Sequence, residues 1–243
     1  MRDLPLDRAR PRAALAEFAA GRRIAICATG YRRGPHPSKP HRMQRTDPLV
    51  TVESDPGDRY VVRTRAWVRR AVIGLNLCPF AKAVETKGRV RYVATRAGTL
   101  EALMRVMVDE MRRLVDVPEH DVETTLVIHP FVLTDFVAFN DFSGDVEARI
   151  DDLGFDGFMQ LATFHPDYRF AGTHDDDLGN ATNRSPYPTL QLLRESSVDR
   201  AVSAFPDAEA IYTANIATLE RLGPTGWAAI ERACRDDFTD PAS

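Results

Sequence analysis

From about residue 58 the hydrophobic pattern alternates between helical and strand periods. In RYVVRTRAWVRRAVIGLNL (59–77), Trp67, Val68, Ala71, Val72 and Leu75 recur at helical spacing, with arginines on the opposite face. Pro79 disfavours helical geometry in the residue before it, so this helix is expected to weaken at Cys78. RVRYVAT (89–95), just after Gly88, reads as a short β-rich segment. TLEALMRVMVDEMRRLV (99–115) is strongly amphipathic, with Thr99 placed to cap it. ETTLVIH (123–129) is a β-branched run bounded by Pro130, as a buried strand would be. A helix is expected over 134–153, stopped by Gly154, and a third strand over GFMQLATFH (157–165).

The stretch 166–188, PDYRFAGTHDDDLGNATNRSPYP, shows no clear period, and loops of that length inside compact domains are usually functional or disordered. Beyond it the pattern predicts a helix over 189–205 with Pro188 near its first turn, a second over 207–223 ended by Gly223, and a short last helix containing Trp227. The order α-β-α-β-α-β-α-α favours parallel pairing through right-handed crossovers. The expected fold is a small α/β sandwich, in two or three layers, with about three mainly parallel strands; a ferredoxin-like α+β sheet is the alternative.

Charge changes the picture at the N-terminus. Residues 1–50 carry 11 Lys/Arg against 4 Asp/Glu, or +7, so with −3 overall the remainder carries −10. Residues 1–57 read as a disordered leader, or as a mis-annotated start with translation beginning at Met43. Residues 58–223 then form one α/β domain, and 224–243 a C-terminal helix and tail. The acidic body argues against nucleic-acid binding, which draws its affinity from phosphate neutralisation. No apolar run reaches the ~18 residues of a membrane span. The early IAICATG is too short for a secretory core, so a cytoplasmic protein is expected. Three scattered cysteines (Cys27, Cys78 and Cys234) fit reduced thiols.

Two apolar runs end in His-Pro, at His129 and His165. In parallel strands both histidines sit at carboxyl ends, where open α/β sheets bind ligands. Such a pair suits three chemistries. Neutral imidazoles bind a divalent transition metal, with His174, Asp167 or Asp135 completing the shell. One imidazole serves as general base, oriented by Asp167. Or a histidine activates Cys78, which lies at a helix–proline break. Against these stands a plain alternative, in which both imidazoles bond backbone at strand ends and Cys78 is a packed core thiol.

Anion-binding candidates lie nearby in sequence: Arg169, Arg184 and Lys82, with Asn183, Ser185 and Tyr187 expected at a helix start whose free N–H groups favour an anion. The competing reading is local capping, with Arg184 paired to the acidic run 175–177. Tyr168 is a further substrate-binding candidate; it and Phe170 alternate with Arg169, so the two rings face one way and the guanidinium the other.

AVIGLNLCPFAK, HPFVLTDF, FHPDYRFAGT and TNRSPYPTLQLLRE together resemble the bacterial family called domain of unknown function 1415. The likeness runs from about Trp67 to Gly223. It implies a bacterial source and a body without the N-terminal leader, and it carries no activity. The residues themselves point to an enzyme acting on a small anionic metabolite, by metal-assisted hydrolysis or acid–base chemistry at His129 and His165. A non-catalytic small-ligand or metal-binding module is the alternative. A protein that docks a partner through helices in 189–222 is a third reading.

Overall fold

A computed structural model describes residues 57–204 and 208–237. Cys27, the basic head and the expected start at Met43 lie outside the described residues. Helix α1 (Arg59–Trp67) continues through a π-helical turn at Val68–Ile73, and a short α2 (Ala81–Thr86) follows the Cys78–Pro79 break. Then come β1 (Val90–Ala94), α3 (Leu100–Asp116), β2 (Thr124–Ile128), α4 (Phe136–Asp152) and β3 (Met159–Phe164). A 3₁₀ turn at Leu178–Thr182 precedes β4 (Thr189–Arg194), α5 (Glu195–Ala204) and α6 (Ala208–Asp236).

The expected Thr99 cap and Gly154 stop have physical counterparts, and Asp135 supplies the cap of the helix expected to start near Thr134. Thr99 Oγ1 accepts from the Ala102 N–H at 3.2 Å, and Asp135 does the same for Ala138 at 2.9 Å, starting α4. Gly154, at φ +72°, takes the left-handed conformation that ends α4. At Gly223 (φ +66°) the chain kinks rather than stops. The helix resumes after Pro224 and buries Trp227 and Cys234, so Cys234 is a core thiol and not part of a tail.

The four strands form one sheet in the order β1-β2-β4-β3. β1 and β2 are parallel, while β4 is antiparallel to both β2 and β3. The three strands foreseen from sequence therefore point the same way, but the sheet is mixed because a fourth strand lies among them. Its connectivity, β-α-β-α-β-β, also differs from the β-α-β-β-α-β of a ferredoxin-like fold.

Residues 189–194 were expected to begin a helix and instead form a central strand. Leu, Gln and Arg are good helix formers, which makes TLQLLR helical by propensity. Burial decides otherwise. Leu190, Leu192 and Arg194 face one side and Thr189, Gln191 and Leu193 the other, and ladders run along both flanks, pairing 189–193 with β2 and 189–194 with β3.

Helices cover both faces, giving three layers. On one face Tyr92, Leu126, Ile128, Ala162 and Phe164 pack against α1 and α6. On the other, Val127, Leu161, Leu190 and Leu192 pack against α3 and α4. A buried ion pair joins β1 to α3: Arg91 grips Glu110 through two bonds of 2.8 and 2.9 Å.

Leu192 is fully buried at the centre of this arrangement. Leu192→Ala should lower unfolding free energy by about 2–5 kcal/mol, the usual range for a core Leu→Ala change, and urea denaturation would read the loss.

Candidate functional site

Both histidines occupy the carboxyl edge of the sheet, as parallel strand direction requires, but β2 and β3 are not neighbours. With β4 between them, the two backbones stand two strand spacings apart, roughly 10 Å. Their rings still converge on one residue. The His129 and His165 imidazoles lie 5.8 and 5.1 Å, centroid to centroid, from the ring of Phe139 on α4.

Hydrogen bonding fixes the tautomers. The Asp167 N–H donates to His165 Nδ1 at 3.0 Å, so the proton sits on Nε2, which donates to the Leu133 carbonyl at 3.2 Å. His129 Nδ1 donates to the carbonyl of Val132 at 3.1 Å. The two imidazoles thus hold successive carbonyls of the β2–α4 loop. Leu133 needs that restraint, since its φ of +59° puts a bulky residue in the left-handed region, at a cost on the order of 1–3 kcal/mol.

One imidazole atom is left over. His129 Nε2 carries a lone pair, is buried, and meets no hydrogen-bond partner among the described residues. Burial lowers the His129 pKa to about 4, with the neighbouring His165 adding to the shift and the Val132 bond opposing it. His165 is lowered as well, chiefly by burial, while its bond to Leu133 and the carboxylates of Asp167 and Asp135 pull the other way.

A divalent metal finds few donors. A structural zinc site takes four ligands and a catalytic one three. Both nitrogens of His165 are committed, and His174 is exposed in the 166–188 loop. Among the described residues no three His, Cys, Asp or Glu side chains converge. The residues present do not fit the metal.

The other candidates divide. The 166–188 loop is ordered by Asn180, whose Oδ1 accepts from the Phe170 N–H and the Thr173 hydroxyl, and whose Nδ2 donates to the His174 carbonyl. Asn183 is buried against the end of β3, its Nδ2 donating to the Thr163 carbonyl, and Ser185 bonds the Tyr187 carbonyl. Because these residues lead into a strand, the expected helix-start anion site is not formed. Arg184 donates to the carbonyls of Tyr168 and Asp175, and Arg169 pairs with the Asp175 carboxylate at 2.7 Å. Tyr168 is buried against Phe170 and Phe136 while Arg169 is exposed, as the alternation of an extended segment requires. Lys82 is exposed on α2, apart from these residues. Cys78 is half-buried; desolvation pushes its thiol pKa up, against the N–H groups of Phe80 and Ala81, and no histidine bonds to it.

Sequence reasoning passed over a second group at the same edge. α1 crosses the strand ends. Tyr60 meets Phe131 just beyond β2 (5.5 Å) and Tyr187 just before β4 (4.9 Å), and Trp67 meets Phe164 at the end of β3 (5.2 Å). Arg63 donates to the Tyr187 hydroxyl at 3.0 Å. Arg59 and Arg96 lie over the Tyr60 ring at 4.7 and 5.0 Å, and Arg96 also over Phe131 at 5.5 Å. Phe131 is 50% exposed, and among the described residues Asp58, bonded to Arg96, is the one carboxylate paired with these arginines. Along α1, Arg63 Nε, Thr64 Oγ1 and Trp67 Nε1 are buried without partners among the described residues. The available signal was Arg59 and Arg63, four apart and beside Tyr60 and Thr64, on a helix whose arginines were read only as its outer face.

The family described as "Protein of unknown function (DUF1415)" matches residues 59–229. The chain belongs to the DUF1415 family. The match begins at the first residue of α1 and runs through Trp227, so it takes in the whole sheet and both groups at its carboxyl edge. No curated protein and no solved structure matches this DUF1415 chain.

The buried histidines make stability depend on pH. The folded pKa of His129 lies below the ordinary 6.5, so the unfolded chain takes up a proton first on acidification. The His129 contribution to stability should be complete above about pH 6.5 and be lost as pH falls towards 4, a change on the order of 3 kcal/mol. His129→Gln should flatten this window in urea titrations at stepped pH, and at pH 7.5 it should cost about 1–3 kcal/mol for the lost Val132 bond.

Proposed function

We propose that the protein binds a small anion at the carboxyl edge of its sheet, on the surface made by α1 and the β2 exit. The observation that carries this reading is the stripe of three buried polar atoms on α1, Arg63 Nε, Thr64 Oγ1 and Trp67 Nε1, that no described residue satisfies. Each such atom costs about 1–3 kcal/mol when left unpaired, and a polar ligand would satisfy them. Arg59 and Arg96 supply positive charge beside the stripe, and the half-exposed Phe131 ring offers a flat apolar wall. In this reading the histidines hold the floor of the site, and Arg169 and Arg184 brace the loop beside it.

An enzymatic reading has one observation in its favour, the free lone pair on His129 Nε2. It would act as a general base, neutral at pH 7 because burial keeps its pKa low. The two readings part on one variant: His129→Gln would abolish turnover in an enzyme and would leave ligand affinity largely intact in a binding module.

Trp67 lies on the stripe, and the chain has one other tryptophan, Trp227, so fluorescence can report the site. Titration with a panel of carboxylate and phosphate metabolites should produce a saturable change that Trp67→Phe removes. Arg63→Gln should weaken the binding by about tenfold, which corresponds to about 1.4 kcal/mol. No saturable response to any anion, or one indifferent to Arg63, would end this reading.

A further inference from the structure

The opposite face of α1 borders a second feature. A cavity of about 230 Å³ opens beside the free edge of β1, with Val61 and Arg65 of α1 on one side, Arg113 of α3 on another and Asp121 in its wall. Among the described residues β1 pairs with β2 alone. In a parallel ladder alternate residues turn their N–H and C=O groups to the partner. Here Arg89 and Thr95 bond towards β2, so Val90 and Tyr92 turn theirs outwards into the cavity wall.

The charges around this space are unbalanced. Arg91 also borders it but is neutralised by its two-bond grip on Glu110. Arg65 lies over the Tyr92 ring at 4.9 Å, and neither Arg65 nor Arg113 has a carboxylate partner among the described residues. Among the described residues, two guanidiniums without a carboxylate partner and two outward strand N–H groups thus border one small cavity whose lining holds a single acidic side chain, Asp121. A planar carboxylate accepts one fork of donors, whereas a tetrahedral phosphate accepts from several directions at once. The volume lies below the ~300–1,000 Å³ of pockets for drug-sized ligands, which limits the occupant to a small molecule.

From these observations we infer that the cavity at the β1 edge binds a small phosphate monoester, held by Arg65 and Arg113 and by the outward N–H groups of Val90 and Tyr92. The site is separate from the carboxyl-edge surface and uses the other side of the same helix.

The test is phosphorus NMR on the full chain, titrated with glycerol 3-phosphate and, separately, with inorganic phosphate. Saturable shifts or broadening are expected, with the ester at least as tight as the inorganic ion. Arg65→Gln and Arg113→Gln should each weaken binding by about fivefold or more, while Arg221→Gln, an exposed change on α6, should leave it unchanged. Arg113 is exposed, so Arg113→Gln remains informative even if Arg65→Gln destabilises the fold. Absence of saturable binding by either probe would overturn the proposal, as would binding that survives both substitutions. Binding lost in Arg63→Gln but kept in the other two would also overturn it, and would assign the anion to the carboxyl edge instead.

Discussion

The placement of β4 between β2 and β3 governs the rest of the structure. Its antiparallel ladders bind every residue from Thr189 to Arg194 on one flank or both, and so set β2 and β3 a fixed two spacings apart. Phe139 on α4 is within reach of both strand exits only because of that separation. Without β4, His129 and His165 would end adjacent strands, and the β2–α4 loop would have no second imidazole holding it from the far side. β4 also carries the constraint across the sheet. Pro188 accepts from the His129 N–H, and Asn183 from the His165 N–H, so the segment entering β4 bonds the backbone of both histidines.

Around this frame the histidines behave as neutral hydrogen-bond donors. Each donates one N–H to a carbonyl of the same strained loop, at Val132 and Leu133, and burial lowers both pKa values so that the neutral form persists. A charged imidazole could donate to the same carbonyls, but the apolar packing around Phe139 and Phe136 would make it expensive. The prolines that follow both histidines keep the histidine backbone extended, which fits its position at a strand exit. The paired His-Pro signature is explained as a clasp before any chemistry is invoked.

How much of this was legible follows from which forces are local. The cap at Thr99, the stop at Gly154, the buried run at Thr124–Ile128 and the amphipathic α3 depend on neighbours within a turn or on a clear period, and the sequence carries them openly. Convergence of the two His-Pro exits on one edge was also legible, since strand direction alone delivers it. β4 was not, because TLQLLR is helical by propensity and becomes a strand only when two flanking ladders are supplied, one of them by a segment up to 69 residues away. That error displaced the expected anion site, which relied on a helix start after Asn183. The α1 stripe was missed for a related reason: helical spacing separates an apolar side from a polar one, but does not show that the polar side lies across the sheet's carboxyl edge.

α1 is accordingly more than a cover for the sheet. Its arginines fall on two sides, Arg59 and Arg63 towards the strand exits and Arg65 towards the β1 edge. A helix whose only task was to shield the sheet would keep its charges in solvent and fill its inner face with aliphatic side chains. Instead α1 buries polar atoms at Arg63, Thr64 and Trp67 without partners among the described residues and stacks guanidiniums on Tyr60 and Tyr92. Unpaired buried polar atoms and unneutralised cations both oppose folding, and the two sit on one nine-residue helix. A fold retains such a burden most readily where a bound anion relieves it, which makes α1 the element from which function in this protein is best sought.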